Sequence, residues 1–283
     1  MQAFKEFSEK DASFWAFIKL ISEALGYTEG KKKNKLVKFY TIDEISTLCT
    51  KLGMPIVQET IREASLYSKM RADILNQVVK KMLMDGESAR HKFEELYHSV
   101  YVKDQLKCLL PMNKQKGDKK QIAFFTAIIN ILTEQTIRKM TGDTSKKGFN
   151  DNPQALFYVL DEKRNLVGTS SRRFDGAFPG IVSPLLVWEI KEYYYTTTFG
   201  SRIADGVFET QLDGFEMKEL YSRTGKKVHH VLFIDAYNTW WNMGKSYLCR
   251  IIDALNYGLV DEVIVGREVF SRWPEVLYSV QQK

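Results

Sequence analysis

The segment Arg173-Phe174-Asp175-Gly176-Ala177, the turn Phe178-Pro179-Gly180 and the run Pro184-Leu185-Leu186-Val187-Trp188-Glu189-Ile190-Lys191 decide how this chain is read. Both flanking segments are apolar and β-prone, and a Pro-Gly turn separates them, so strands are predicted over 173–177 and 184–191. Strand alternation puts Glu189 and Lys191 on one face and Ile190 on the other. Charged side chains at the end of an apolar strand are costly unless they are paired or bound to something. Thirteen residues separate Asp175 from Glu189, enough for a hairpin that sets the two carboxylates side by side, where they repel. A divalent cation removes that penalty. Mg²⁺ suits the position, since it is held by one or two carboxylates plus phosphate oxygens and water. Beside it, Lys191 would orient or help deprotonate a water nucleophile and stabilise charge on phosphorus. A hairpin bearing only a surface Glu–Lys pair is the plainer alternative. Trp188 and Ile190 weigh against it, because they mark a buried strand in which an idle ion pair stabilises little.

Working outward, 121–140 reads as a strong helix with Phe124, Phe125, Ile128, Ile129, Ile131 and Leu132 apolar, stopped by Thr141-Gly142-Asp143. Beyond it come a strand at 155–160, the hairpin, a long helix at 200–221, a strand at 228–234, a helix at 245–256 and a strand at 263–265. Such alternation is a mixed α/β layer architecture. The first ~110 residues read as helices: 12–25, one starting at the Thr41/Glu44 capping pattern and stopping near Gly53, 56–84, and 88–101. The pair 42–53 and 56–70 has helix-turn-helix spacing, but Leu48, Leu52, Ile56 and Ile61 serve a plain bundle equally well, and the bundle is favoured. The polar stretch 114–120, with Gly117, is the expected linker between a helical region, 1–118, and an α/β domain, 119–283.

Asp175-x13-Glu189-Ile190-Lys191, set on two strands with a helix before and a helix and strand after, resembles the PD-(D/E)xK signature of the restriction-endonuclease-like nucleases. The resemblance covers roughly residues 121–266; Phe174 stands where many members have proline. It implies a central mixed sheet flanked by helices. Asp175 and Glu189 would be metal ligands, the Ile190 carbonyl would complete the site, Lys191 would be catalytic and Mg²⁺ would be the cofactor. Many members carry a further acid on the preceding helix, here Glu134, although a solvent-facing helix Glu explains that residue equally well. Gln211 and Arg202 are candidates on the following helix. The activity implied is Mg²⁺-dependent hydrolysis of double-stranded DNA, as in type II restriction endonucleases, which commonly work as homodimers. The alternatives are another nuclease of the superfamily, in repair, recombination or phage defence, a non-catalytic nucleic-acid-binding protein on the same scaffold, and a plain helical adaptor whose α/β half is structural. Arg172, Arg173, Ser201, Arg202, Asn238 and Asn242 are the expected DNA contacts; hydroxyls and amides at a helix start suit phosphates and Asn side chains suit base edges. Tyr193-Tyr194-Tyr195 is read first as core-edge packing.

Composition narrows the classes further. Hydrophobic residues at 44% and charged residues at 27% exclude a mainly disordered chain. A net charge of +6 is compatible with a polyanion. Lys31, Lys32, Lys33, Lys35 and Lys38 crowd one segment and Lys114, Lys116, Lys119 and Lys120 another; solvated loops are the ordinary reading, phosphate contact the other. Cys49, Cys108 and Cys249 are too scattered for a zinc ribbon or a disulfide framework, and no HExxH occurs among the four histidines. The most apolar stretch, 122–132, is far short of the ~20 residues of a bilayer span, and the first residues lack a signal-peptide pattern, so a cytoplasmic protein without membrane contact is expected. Gly244-Lys245-Ser246 ends like a P-loop, but Thr239 stands where the first glycine belongs, so no nucleotide cofactor is expected.

Overall fold

The structure, a computed structural model, describes residues 1–29, 35–55, 57–113, 121–197 and 199–281. Ile56, Lys31–Lys33 and the expected linker 114–120 with its four lysines lie outside the described residues.

The N-terminal helices form as their sequence signals dictate. α1 (Ala12–Leu25) is started by Asp11, whose carboxylate accepts the Phe14 N–H, and it buries Phe14, Trp15, Phe17, Ile18 and Ile21. α2 (Ile42–Lys51) carries the Thr41/Glu44 capping box. α3 (Gln58–Ile74) runs through a π-helical turn, Leu75–Val79, into α4 (Lys80–Met82). Phe7, Phe14, Trp15 and Tyr67 make an aromatic cluster that also takes Ile45, Cys49 and Ile61, so α2 and α3 pack as bundle helices. Leu52, expected in that core, is exposed because it caps the end of α2.

The next helix starts two residues before the expected position, since Asp85 caps it by accepting the Ser88 N–H. It comprises α5 (Gly86–Leu96) and a π turn, Tyr97–Val102. Met84, Ala89, Phe93, Leu106 and Cys108 join the cluster formed by α6 (Phe124–Thr141) and the main sheet. Packing therefore groups residues 84–110 with the sheet rather than with the first helices. On either side of 114–120 the chain bonds to itself, with the Asn113 N–H donating to Gln121 O and the Ala123 N–H to Pro111 O.

The protein is mixed α/β. A small antiparallel pair, β1 (Tyr158–Leu160) and β2 (Leu166–Thr169), stands beside a four-stranded sheet in the order β3-β4-β5-β6. β3 (Gly176–Phe178) is antiparallel to β4 (Leu186–Glu192), while β5 (His229–Asp235) and β6 (Glu262–Val265) are parallel to their neighbours. α7 (Ser201–Thr224) and α8 (Lys245–Asn256) make the two crossovers. Residues of alternating parity separate the two faces of the sheet. Trp188, Phe233 and Ile264 face α6 and α9 (Val269–Gln281). Leu232, Ile234, Val263 and Val265 pack with α8, and Val187 with Met217 and Leu220 of α7.

Two elements were not expected. The exposed β2 has few apolar residues, and α9 contains Pro274, ordinarily a helix breaker. Burial overrides the proline: Trp273 lies against Trp188 and Phe233 and donates to the Thr133 hydroxyl. Among the described residues no helix is long and apolar enough to cross a membrane.

Candidate active site

β3 is short, and that shortness makes the site. Its register sets Gly176 opposite Trp188, so Asp175 falls opposite Glu189. Gly176 is required there, because a Cβ would lie 2.1 Å from the Trp188 ring. The Asp175 N–H donates to Trp188 O (3.0 Å), and its Oδ2 accepts the Ile190 N–H (2.7 Å). N–H and C=O of one strand residue point the same way, so the Ile190 carbonyl also faces the Asp175 edge. With β3 absent beyond Asp175, the last residues of β4 border a cavity of about 680 Å³. Asp175, Glu189, Ile190 and Lys191 line its floor. Pro111, Ala123 and Thr126 form one wall, and Tyr193, Thr196, Ser201 and Ile203 another.

Glu189 is 6% exposed. Its Oε1 is 2.5 Å from the Lys191 ammonium, and its buried Oε2 has no hydrogen-bond partner, although Arg172 stands 3.1 Å away. Arg172 is itself held by both oxygens of Asp213 on α7. Lys191 lies against Gly206, where a Cβ would come within 3.1 Å of its ammonium, and Glu209 is 3.9 Å distant. The chain Asp213–Arg172–Glu189–Lys191 thus runs from α7 across β4.

Electrostatics follow from crowding. Asp175 is open to the cavity but hemmed by protein on its other sides. That desolvation, with the charge of Glu189 beside it, pushes its pKa up to about 7. Asp213 is raised to about 6 by burial, which Arg172 only partly offsets. Burial, the largest influence, pulls the Lys191 pKa down, but the charge and hydrogen bond of Glu189 together with the charge of Tyr193 outweigh it and the net direction is up. Lys191 is therefore a cation at neutral pH.

The Mg²⁺ that the resemblance implies can be tested against these groups. Asp175, Glu189, Glu192, Asp205 and Glu209 line the cavity against the single base Lys191 among the described lining residues. Glu189 Oε2 is a buried oxygen without a hydrogen bond, with the Arg172 guanidinium 3.1 Å away as its counter-charge. No group of three or more His, Cys, Asp or Glu side chains fit to hold a metal is found among the described residues. Two carboxylates and a carbonyl suffice for an ion that keeps most of its waters, so the residues fit.

The other expected site residues are dispersed. Glu134 is neither in the cavity nor solvent-facing. It is fully buried, accepts the Lys107 and Cys108 N–H groups and pairs with Arg138, so it anchors a loop and does not line the cavity. Gln211 lies half-buried on α7 and does not line the cavity. Arg172 is committed to carboxylates, whereas Arg173 is exposed. Ser201 opens α7 at the cavity wall; Arg202 follows it, its side chain outside the described residues. Asn238 and Asn242 bond to each other on the surface of a π-helical turn, Asn238–Met243. Tyr193 packs on Trp240, and Tyr194 and Tyr195 hydrogen-bond to Asp235 and Gln121.

Asp205, Glu209 and Asp213 were not singled out in the sequence. Their i, i+4, i+8 spacing on one face of α7 is the signal that points to them.

Residues 1–78 match the family model described as Domain of unknown function (DUF7690). No curated protein and no solved structure matches the chain. Residues 84–280, which include the whole cavity, match the model described as Domain of unknown function (DUF7687), and since that match spans most of the chain, the protein belongs to the DUF7687 family.

Proposed function

We propose that the protein is a Mg²⁺-dependent endonuclease of the restriction-endonuclease-like type, acting on double-stranded DNA and most similar in its organisation to type II restriction enzymes. The observation that carries this reading is the placement of Asp175 opposite Glu189, with the Lys191 ammonium on Glu189, at the floor of one open cavity. The strand order supports it. An antiparallel pair bears the acids and the lysine, and a helix leads from it to a parallel strand, as the PD-(D/E)xK resemblance implies.

Asp175, Glu189 and the Ile190 carbonyl would hold Mg²⁺. Held there, it would supply polarisation of a phosphoryl oxygen and a lowered pKa for a bound water. The residues themselves divide the remaining work. Lys191 carries a fixed positive charge, so it offsets negative charge gathering on the phosphate and orients a water by donation rather than acting as a base. Arg172, locked by Asp213, holds the Glu189 carboxylate toward the cavity. Thr196, Ser201 and the start of α7 offer hydroxyls and N–H groups to the backbone of the substrate. Two copies acting together would cut both strands, the homodimer being part of the same proposal.

Incubation of the purified protein with unmethylated plasmid DNA, with Mg²⁺ or with EDTA, followed by sequencing of the ends, tests the reading. Discrete fragments in Mg²⁺ alone support a restriction enzyme; a smear supports another nuclease role. Asp175→Ala is expected to abolish cutting while DNA binding persists. Cutting by Asp175→Ala at the rate of the parent would remove the site from the reaction.

A further inference from the structure

The cavity poses a problem for a polyanion, since among the described lining residues five acids accompany one lysine, and Arg172 is spent on Glu189 and Asp213. A DNA strand drawn to that floor must be held by cations elsewhere. One group of cations has no ion pair among the described residues. The Lys80 ammonium lies 5.4 Å and the Lys245 ammonium 4.6 Å from the centre of the Trp241 ring. Lys245 is 6% exposed and donates to the Trp241 carbonyl. Lys80 and Lys35 are half-buried. The charges that act on Lys245 are those of Lys80 and Lys35, both positive. None of the three is among the lysines that pair with a carboxylate in the described residues. The indole face offsets part of the repulsion between the ammonium groups, but like charges gathered this way favour an anion.

Thr239 and Trp240, which precede Trp241 in the same turn, lie against the cavity wall. Tyr193, which lines the cavity, packs on Trp240 at 5.8 Å, and its carbonyl accepts the Thr239 hydroxyl. Phe199 from the same loop packs on Tyr247 and closes against Gly244. The cavity and the lysines therefore flank a single loop.

We propose that Lys80 and Lys245 around Trp241, joined by Lys35, form a second contact for the phosphodiester backbone of nucleic acid, reached by the strand that occupies the Asp175–Lys191 cavity. The proposal rests on the nuclease reading for its substrate. Lys80 and Lys35 touch phosphate oxygens, and Lys245 supplies a buried charge beneath them.

Fluorescence anisotropy of a short labelled duplex, in EDTA and over a salt series, tests this without cleavage. In the double variant Lys35→Ala/Lys80→Ala the slope of log affinity against log salt is expected to fall by about 2, close to 0.9 per lost phosphate contact. The pair Lys163→Ala/Lys226→Ala, exposed residues elsewhere, is expected to leave the slope unchanged. Lys245→Met is expected to weaken binding too, with its melting temperature checked to show that it folds. An unchanged slope in the Lys35/Lys80 variant overturns the proposal, as does binding of phosphatidylserine vesicles in place of DNA. If the parent binds duplex through these lysines but never cuts in Mg²⁺, the nuclease reading fails and the contact stands. If it cuts and the slope is unaltered, only the contact fails. No binding at low salt overturns both.

Discussion

A methyl group added at Gly206 would lie 3.1 Å from both Cε and Nζ of Lys191, so at this position the side chain is absent where the lysine needs room. The contact meets the flexible end of a side chain, not backbone, and the lysine can give way. Replacing a helix-interior glycine by alanine is also worth about 1 kcal/mol of helix propensity. Gly206→Ala is therefore expected to leave the melting temperature unchanged or raised, while the proposed DNA cleavage falls at least about tenfold as Lys191 shifts on Glu189. Parallel thermal melts and initial rates check this, and a variant that cuts normally would show that the ammonium position is not critical. Lys191 and Glu189 were legible in sequence because strand alternation puts i and i+2 on one face. Gly206 was not, because nothing local says which residue of a helix passes over a given strand.

At the scale of elements, the end of β5 is tied to its surroundings by one carboxylate. Asp235 Oδ1 accepts the Met84 N–H (2.7 Å) and the Ala236 N–H, and Oδ2 accepts the Tyr194 hydroxyl. Burial pushes its pKa up to about 7 in spite of those bonds. Unfolded, the group titrates near ~3.9. Its protonated form is thus favoured by folding: the contribution is full below ~3.9 and is lost as pH rises through 7. Asp235→Asn keeps the two accepted N–H bonds and offers an amide to Tyr194. Its stability relative to the parent is expected to improve as pH rises from 4 to 7, by up to about 1.4 kcal/mol per pH unit, as read by urea unfolding across that range. His230 works in the other direction. Burial lowers its pKa to about 4, so its contribution is present above ~6.5 and is lost as pH falls toward 4. The comparison of Asp235→Asn with the parent isolates the aspartate, since both proteins carry the same histidine.

At the scale of the molecule, the N-terminal helices are joined to the α/β part through Arg71. Its guanidinium is fully buried on α3 and contacts both oxygens of Asp253 on α8 at 2.9 Å. Tyr67 donates to the same carboxylate, and Ser22 and Tyr40 meet the guanidinium. Removing one member of a buried pair strands the other, a loss of about 3–5 kcal/mol. Asp253→Ala is expected to destabilise by that order, measured by urea unfolding, while replacement of both residues by apolar side chains costs less. If the single variant loses under about 1 kcal/mol, the pair does not couple the two parts as the contacts indicate. The two family matches, 1–78 and 84–280, meet close to α4, and this ion pair bridges them.

By itself the sequence determined what depends on short-range chemistry: the α1 periodicity, the Thr41/Glu44 cap, the hairpin and its Asp175–Glu189–Lys191 spacing, and the alternation that makes a mixed α/β layer. These need only propensity, period and turn residues close along the chain. Only the tertiary structure decided that Glu134 turns inward to hold Lys107 and Cys108, that Asp213 locks Arg172 onto Glu189, that 84–110 belongs with the sheet, and that Pro274 sits inside a helix. Each of those depends on which distant surface supplies the compensating hydrogen bond, charge or apolar contact, and no local rule of the chain specifies that partner.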